Sequence, residues 1–409
     1  MESARTPPLH GLRVIDFTRV LAGPFCTLNL ADLGAEVIKI ENPAGGDDTR
    51  RFRPPDIEGL STYFLHVNRN KKSVALDLQS DRGRAAARAL IAQSDIVVEN
   101  FRPGVMSRLG IDYESFQPDH PRLIYCSISG YGTEGTLRTR AGLDPVIQAE
   151  CGLMALTGDP NGEPMRTGVS LVDAMTGLYA ANMILGAAMS RKDTGRGQRV
   201  EICLFDTGVN MLVNFAGAYL GAGIESSRVG NGNLVSQPAG VFDAADGAFL
   251  VTVVGDRVFK RLCDDVLQAP ELLTDARYHD NSARLAHVDA LRADLNERFR
   301  KAPRADWIER LREAGIPTGE IRTLADALTS PEFIERDLIR EVEQPNLGPV
   351  ATLRPPMRLD ETPIAEAVPA PRLGEHTEWA LRTIAGYHAD DIAPLTAPLT
   401  VVGDTSDTG

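Results

Sequence analysis

The stretch RTGVSLVDAMTGLYAA, Arg166 to Ala181, places a single carboxylate, Asp173, between a strand-like apolar run and a helix of small residues. Two chemistries fit that placement. An aspartate ahead of AMTGLYAA is a good helix N-cap, accepting from the amide of Met175 or Thr176. A carboxylate held ionised by a helix N-terminus is also what covalent catalysis on an acyl group requires. The two readings are compatible.

Two polar loops near strand-like runs offer a binding surface. They are VNRNKKS, Val67 to Ser73, and ENFRPGVMSRLG, Glu99 to Gly110. Ligands of open α/β sheets sit at the carboxyl ends of the strands. Arg69, Lys71, Lys72, Arg102 and Arg108 would make such a rim positive in an otherwise acidic chain, which suits a phosphorylated ligand. Solvated surface charge is the competing explanation. A third pattern, Gly130-x-Gly132-x-x-Gly135 with Glu150 about twenty residues on, has dinucleotide-fingerprint spacing. A true fingerprint opens a helix that receives the pyrophosphate. Here TLRTRAGLDP follows, with Gly142 and Pro145 breaking any helix, so a Gly-rich turn near a ligand is expected and a nicotinamide site is not.

The elements that must carry these residues read as alternating strands and helices. LRVIDF, EVIKIE, SVALDL, DIVVEN and RLIYCSIS are strand candidates. GPFCTLNLADLGA has helical spacing, as does SDRGRAAARALIAQS with Ser80 as N-cap. Repeated β-α-β units favour parallel pairing and an open α/β layer over the first 130 residues or so. A buried helix is predicted from Asp173 to about Arg191, then QRVEICLF and another apolar helix. GAGIESSRVGNGNLVSQPAG is a break. GVFDAADGAFLVTVV reads as a hairpin around Asp246-Gly247. Helices are predicted near 256–268 and 284–301, and over RADWIERLREAGIP, giving a smaller α+β domain. Expected boundaries are residues 1–225 for the first part of a large domain, 226–330 for the small domain and 331–409 for the rest. The last residues, APLTAPLTVVGDTSDTG, show no packing pattern and read as a surface arm.

Composition removes several function classes. The 409 residues carry a net charge of −13, which argues against a general nucleic-acid or anionic-membrane surface. No continuous apolar run suggests a membrane span, and MESARTPPLHG lacks the apolar stretch of a signal peptide. Five scattered cysteines, Cys26, Cys126, Cys151, Cys203 and Cys263, suit reduced core thiols and a cytoplasmic protein. The seven histidines form no HExxH and there is no CxxC, so no metal site is expected.

Several blocks together carry a resemblance. GLRVIDFTRVLAGPFCTLNLADLGAEVIKIENP closely resembles the opening of the class III CoA-transferases, the family of formyl-CoA and carnitine CoA-transferases. GDDTR, VNRNKKSVALDL, VENFRPGV, IYCSISGYG, VDAMTGLYA and PRLGEHT are similar to later blocks, so the likeness spans residues 10–380. It implies an α/β fold with a Rossmann-like large domain built from both chain ends, a smaller inserted α+β domain, and a homodimer of interlocked subunits. It implies that Asp173 is the nucleophile and that Val20, Asn68, Asn70, Asn100, Arg102 and Arg108 contact CoA. It implies no separate cofactor, the CoA thioester being a substrate, and no nucleic-acid or membrane partner. Leu21 stands where formyl-CoA transferase has a glutamine and Asn42 where it has an adenine-contacting arginine. GNGNLVSQP replaces the glycine loop over its formyl site. Formyl and oxalyl substrates are therefore not expected. The N-terminal blocks are most similar to succinate–hydroxymethylglutarate CoA-transferases and bacterial dicarboxylate relatives, implying succinyl-CoA as donor and a small dicarboxylic acid as acceptor. Arg138, Arg140 and Arg166 are candidates for its remote carboxylate. An α-methylacyl-CoA racemase is a rival reading, but Leu143 stands where racemases carry a histidine, and leucine moves no proton. A non-catalytic CoA-binding protein is the other.

Overall fold

The computed structural model describes residues 5–396, and the chain divides into two compact units. The larger takes in residues 1–151, 168–213 and 336–409; the smaller takes in 152–167 and 214–335. The segment Gly152–Thr167, read from sequence with the first part of the large domain, thus lies in the smaller unit.

The larger unit is built on six strands: β1 (Arg13–Asp16), β2 (Glu36–Glu41), β3 (Lys71–Ala75), β4 (Ile96–Glu99), β5 (Ile124–Ser129) and β6 (Arg199–Cys203). All pair in parallel, in the order β3-β2-β1-β4-β5-β6. The order reverses between β1 and β4, the place where a doubly wound sheet opens a crevice for ligands. Near-continuous apolar strands explain burial on both faces. On one face Ile15, Ile38, Val74 and Val97 pack with Leu90 and Leu381. Leu90 belongs to the helix Asp81–Ala92, whose N-cap is Ser80, as expected; its hydroxyl accepts from the Gly83 amide at 3.0 Å.

The helices α1 (Ala22–Asp32) and α2 (Leu171–Thr194) pack on each other. A Cβ on Gly177 would stand 2.6 Å from the Ala22 carbonyl oxygen, so only glycine permits this crossing. The closeness brings the first turn of α2, with Asp173, to the start of α1. At its other end α2 stops at Gly195 (φ +69°), and Arg191 donates to the Asp95 and Arg122 carbonyls. By length and composition α2 meets the requirements of a membrane span, which the search for a continuous apolar run did not register. In this fold it lies against β5 and β6 and buries Val172, Ala180, Ile184 and Ala187.

The smaller unit holds three antiparallel strands, β7 (Ala239–Asp243), β8 (Ala248–Thr252) and β9 (Thr318–Glu320). The hairpin turns at Asp246-Gly247, as read. Its core is aromatic: Phe299 meets Phe249, Trp307 and Phe242 with ring centroids 5.1, 5.3 and 5.5 Å apart. The predicted helix over 284–301 breaks at His287 into Asn281–Ala286 and Val288–Phe299. Fully buried Arg284 holds that break, donating to the Gln237 and Tyr278 carbonyls and to Asp256. A hairpin of Ile339–Gln344 and Gly348–Leu353 in the larger unit was not foreseen. The helix Ala389–Thr396 takes in the first residues of the expected C-terminal arm and places Ile392 in the core. The rest of that arm lies outside the described residues.

Around the carboxyl end of β1 lies a buried set of charges. Asp16 accepts from Thr18 and Thr27 and pairs with Lys71 at 3.3 Å. Lys39 pairs with Asp47 at 2.8 Å and donates to the Thr18 carbonyl. Burial alone would raise the Asp16 carboxyl, but Lys71, Lys39 and the two hydroxyls hold it below the usual carboxylate range. Removing one member of such a set strands a buried charge. Lys71→Met is expected to lower stability by about 3 kcal/mol, read as a fall in the urea midpoint; a loss under about 1 kcal/mol would show that the set does not hold the sheet end together.

Candidate active site

Two cavities open at the strand order's turning point. One, of about 310 Å³, is lined by residues after β1, β2 and β3, among them Arg19, Lys39, Asn42, Asp48, Arg51 and Gln79. The other, of about 260 Å³, is lined by Val20, Leu21, Asn100, Arg102, Gly130, Gly142, Leu143 and Asp173. Arg19, Asp48 and Phe101 border both.

The loop after β1 is held in a strained shape. Val20 has φ +69°, a region β-branched residues avoid. Its amide donates to Asp47 Oδ1 at 3.3 Å, and Asp47 is itself fixed by Lys39 and by the Glu41 carboxylate, which accepts from the Asp47 amide. Next to it, Asn100 clasps Arg19: its Oδ1 accepts from the Arg19 amide at 2.9 Å and its Nδ2 donates to the Arg19 carbonyl at 2.8 Å. That pair of bonds ties the loop after β1 to the loop after β4, across the crevice. The Arg19 guanidinium lies over the Phe101 ring at 5.3 Å.

The Gly130-x-Gly132-x-x-Gly135 segment opens no helix; residues 130–143 run as turns and irregular chain. A Cβ on Gly130 would stand 2.7 Å from Gly142 Cα, so the two glycines let the loop fold back on itself beside the cavity. Glu150 binds the Tyr131 hydroxyl and the Arg140 guanidinium. Pro145, read as a helix breaker, instead sits in the first turn of a helix, α3 (Asp144–Glu150), where proline is tolerated because its missing N–H has no partner to lose.

Asp173 is not an N-cap. The helix α2 begins two residues earlier, with Ser170 at the N-cap position and no side-chain cap bond. The capping acceptor comes from α3: Asp144 Oδ1 takes the Val172 amide at 2.9 Å and the Asp173 amide at 3.1 Å. Among the described residues the Asp173 carboxylate has no hydrogen-bond partner. Burial first, and the Asp144 charge second, push its pKa up to about 7. The expectation of a carboxylate held ionised by helix amides is thereby corrected: those amides are occupied.

Of the site residues implied by resemblance, Val20, Asn100, Arg102 and Asp173 meet around one cavity. Asn68 and Asn70 do not reach it. Asn68 is buried, donating to the Phe64 carbonyl and accepting from Lys71 at 3.0 Å. Asn70 (φ +64°) donates to Asp32 and accepts from the Val368 amide. Arg108 is exposed in the last turn of Val105–Leu109 and lines neither cavity. The positive rim is smaller than expected. Lys71 is buried on Asp16, Arg69 pairs with buried Asp32, and Lys72 pairs with Glu36 over the Trp379 ring. Arg102 is exposed and has no ion-pair partner among the described residues. Arg140 lines the Asp173 cavity; Arg138 is exposed on the same loop; Arg166 is exposed in the smaller unit. Sequence reading missed Asp144, Arg19 and Asp48. Among the described residues no group of three His, Cys, Asp or Glu side chains could share a metal ion, and all five cysteines are free and buried.

The sheet order and the two cavities beside its reversal define a doubly wound α/β protein. The model of CoA-transferase family III matches residues 9–377, and the chain belongs to that family. It is similar to the succinyl-CoA:glutarate CoA-transferase of Mus musculus, 38% identical over 388 residues, 95% of this chain and 89% of the relative. It is also similar to the acetyl-CoA:oxalate CoA-transferase of Acetobacter aceti, 40% identical over 333 residues, 81% and 85% of the two chains. A solved structure of a CAIB/BAIF family protein from Brucella suis matches with a TM-score of 0.83 at 39% identity, covering 93% of this chain and all of that one. The protein is a family III CoA-transferase.

Proposed function

We propose that the enzyme moves CoA from succinyl-CoA to a small dicarboxylic acid, with Asp173 as covalent nucleophile. The observation that carries this reading is a carboxylate free of hydrogen bonds, set in a cavity beside a second cavity fit for a nucleotide. In the proposed course the Asp173 carboxylate attacks the donor thioester carbonyl. The C–S bond breaks, the CoA thiolate leaves, and a mixed anhydride remains. The thiolate attacks the aspartyl carbonyl and expels the donor carboxylate, leaving an aspartyl-CoA thioester. The acceptor carboxylate attacks that thioester and reforms thiolate and anhydride. The thiolate then attacks the acceptor acyl carbon and frees Asp173. No proton moves and no electron is gained or lost, so no general acid or base is required. Amides near the Gly130 turn are candidates for holding the oxyanion.

The adenosine end of CoA fits the cavity of about 310 Å³ with Arg19 and Arg51, and the thioester reaches Asp173 along the shared border of Arg19, Asp48 and Phe101. Glutarate and oxalate, named for the two relatives, are both dicarboxylates. Arg102, which has no ion-pair partner among the described residues, and Arg140, which pairs with Glu150, line the Asp173 cavity and are the cations proposed for a remote carboxylate. The racemase reading loses its second proton-transfer group at Leu143. A homodimer is part of the proposal. Support comes from apolar side chains left exposed: Leu178, Met183 and Met189 on α2, and Tyr219, Leu220 and Ile224 in the smaller unit.

Asp173→Ala is expected to abolish exchange while CoA binding persists. Hydroxylamine added with acyl-CoA should convert Asp173 of the wild type to a hydroxamate, found by peptide mass spectrometry. Because the carboxylate is the reacting form, kcat/KM should rise with pH through a limb near about 7. An active Asp173→Ala variant would end the nucleophile reading. A panel of free acids with succinyl-CoA should favour dicarboxylates such as glutarate; reaction only with carnitine or aromatic acids would refute the substrate class, and oxalate as sole acceptor would move the enzyme to the second relative's activity. Sedimentation at falling concentration should show a dimer that does not dissociate, and a reversible monomer–dimer equilibrium would contradict interlocked subunits.

A further inference from the structure

Asp144 has no role in the chemistry just described, yet it is almost fully buried beside the reacting group, 3% exposed. Its Oδ1 takes the Val172 and Asp173 amides, and its Oδ2 accepts from Gln148 Nε2 at 2.6 Å, one turn along its own helix. Every helix start leaves several amides without intrahelical acceptors. In α2 the nearest carboxylate to those amides along the chain is Asp173 itself. With the amides bare, Asp173 would fold back onto them as an ordinary capping acid. An acid so tied is a weaker nucleophile and points along its own helix.

We propose that Asp144 is a positioning residue for the transfer reaction: it occupies the amides that open the nucleophile's helix and so leaves the Asp173 carboxylate unpaired for the substrate. This rests on the reading of Asp173 as nucleophile. The geometry has two parts that can be separated, acceptance of the amides and a fixed negative charge. The first fixes where Asp173 points. The second adds to burial in making the carboxylate more basic, hence more reactive once ionised. The charged and titratable groups facing Asp173 are few. Asp144 faces it from α3 and Tyr63 from the helix Thr62–Asn68. Arg19, Asp48, Arg102 and Arg140 share its cavity from the loops after β1, β2, β4 and β5. Of these only Asp144 bonds to the backbone of Asp173.

Asparagine keeps an amide acceptor and removes the charge; alanine removes both. The full-length enzyme and its Asp144→Ala and Asp144→Asn variants would be assayed for exchange from about pH 5.5 to about pH 9. Asp144→Ala is expected to lose kcat by on the order of 100-fold, with KM for the acyl-CoA within about twofold. Asp144→Asn is expected to restore kcat to within about fivefold of wild type and to move the acid limb of kcat/KM to lower pH, since the charge that opposed ionisation is gone. Equal losses in the two variants, or a limb that stays in place in Asp144→Asn, would overturn the proposal; if Asp144→Ala does not fold, the limb of Asp144→Asn decides alone. Hydroxylamine labelling of wild-type Asp173 keeps the two readings apart. A labelled Asp173 with an unmoved limb removes the role of Asp144 only, and an unlabelled Asp173 removes both.

Discussion

The start of helix α2 has free amides and two carboxylates within reach, and the site depends on which carboxylate takes them. Asp144 does, from 29 residues upstream. Had Asp173 taken them, its charge would be stabilised and its lone pairs spent. Instead it sits half-buried and unpaired, and its pKa rises to about 7. Burial without donors is costly for a carboxylate, and a group held in such a state inside a cavity is a candidate for chemistry. In the proposed course an uncharged anhydride would remove that penalty.

Such a state needs a rigid frame, and the frame is ionic as well as apolar. Lys39 of β2 and Lys71 of β3 are neutralised by Asp47 and by Asp16 at the carboxyl end of β1. Asp47 in turn holds the amide of Val20 in its strained turn, and Asn100 clasps Arg19 on the other side of the crevice. Hydrophobic burial makes the sheet, but it is nondirectional. Hydrogen bonds from buried ions are directional, and directional bonds are what fix the loops around a ligand crevice between β1 and β4.

Much of the frame was legible because it is local. Ser80 announces its helix, Asp246-Gly247 its hairpin, and the alternating strands their parallel sheet. Strand order was not legible: nothing in a strand's own residues says that β1 lies between β2 and β4. The site was legible as a motif but misread as geometry. Asp173 stands at a helix start, and from the helix alone a cap is the sound inference; the true acceptor lies on another helix, with no local signal. The charges of VNRNKKS look like a rim by composition, yet Arg69 and Lys71 turn inward because Asp32 and Asp16 await them. Pro145 reads as a stop and acts as a start, since the same ring that breaks a helix interior fits its first turn.

The exchange proposed for Asp173 would ask little of proton transfer, and the cavity's lining agrees with that. In that proposed course thioester, anhydride and carboxylate would interconvert with no change in proton count; among the described residues no histidine lines the cavity, and Leu143 stands exposed at its wall. Burial and the Asp144 charge raise the basicity of the Asp173 carboxylate, and its freedom from its own helix's amides follows from their assignment to Asp144.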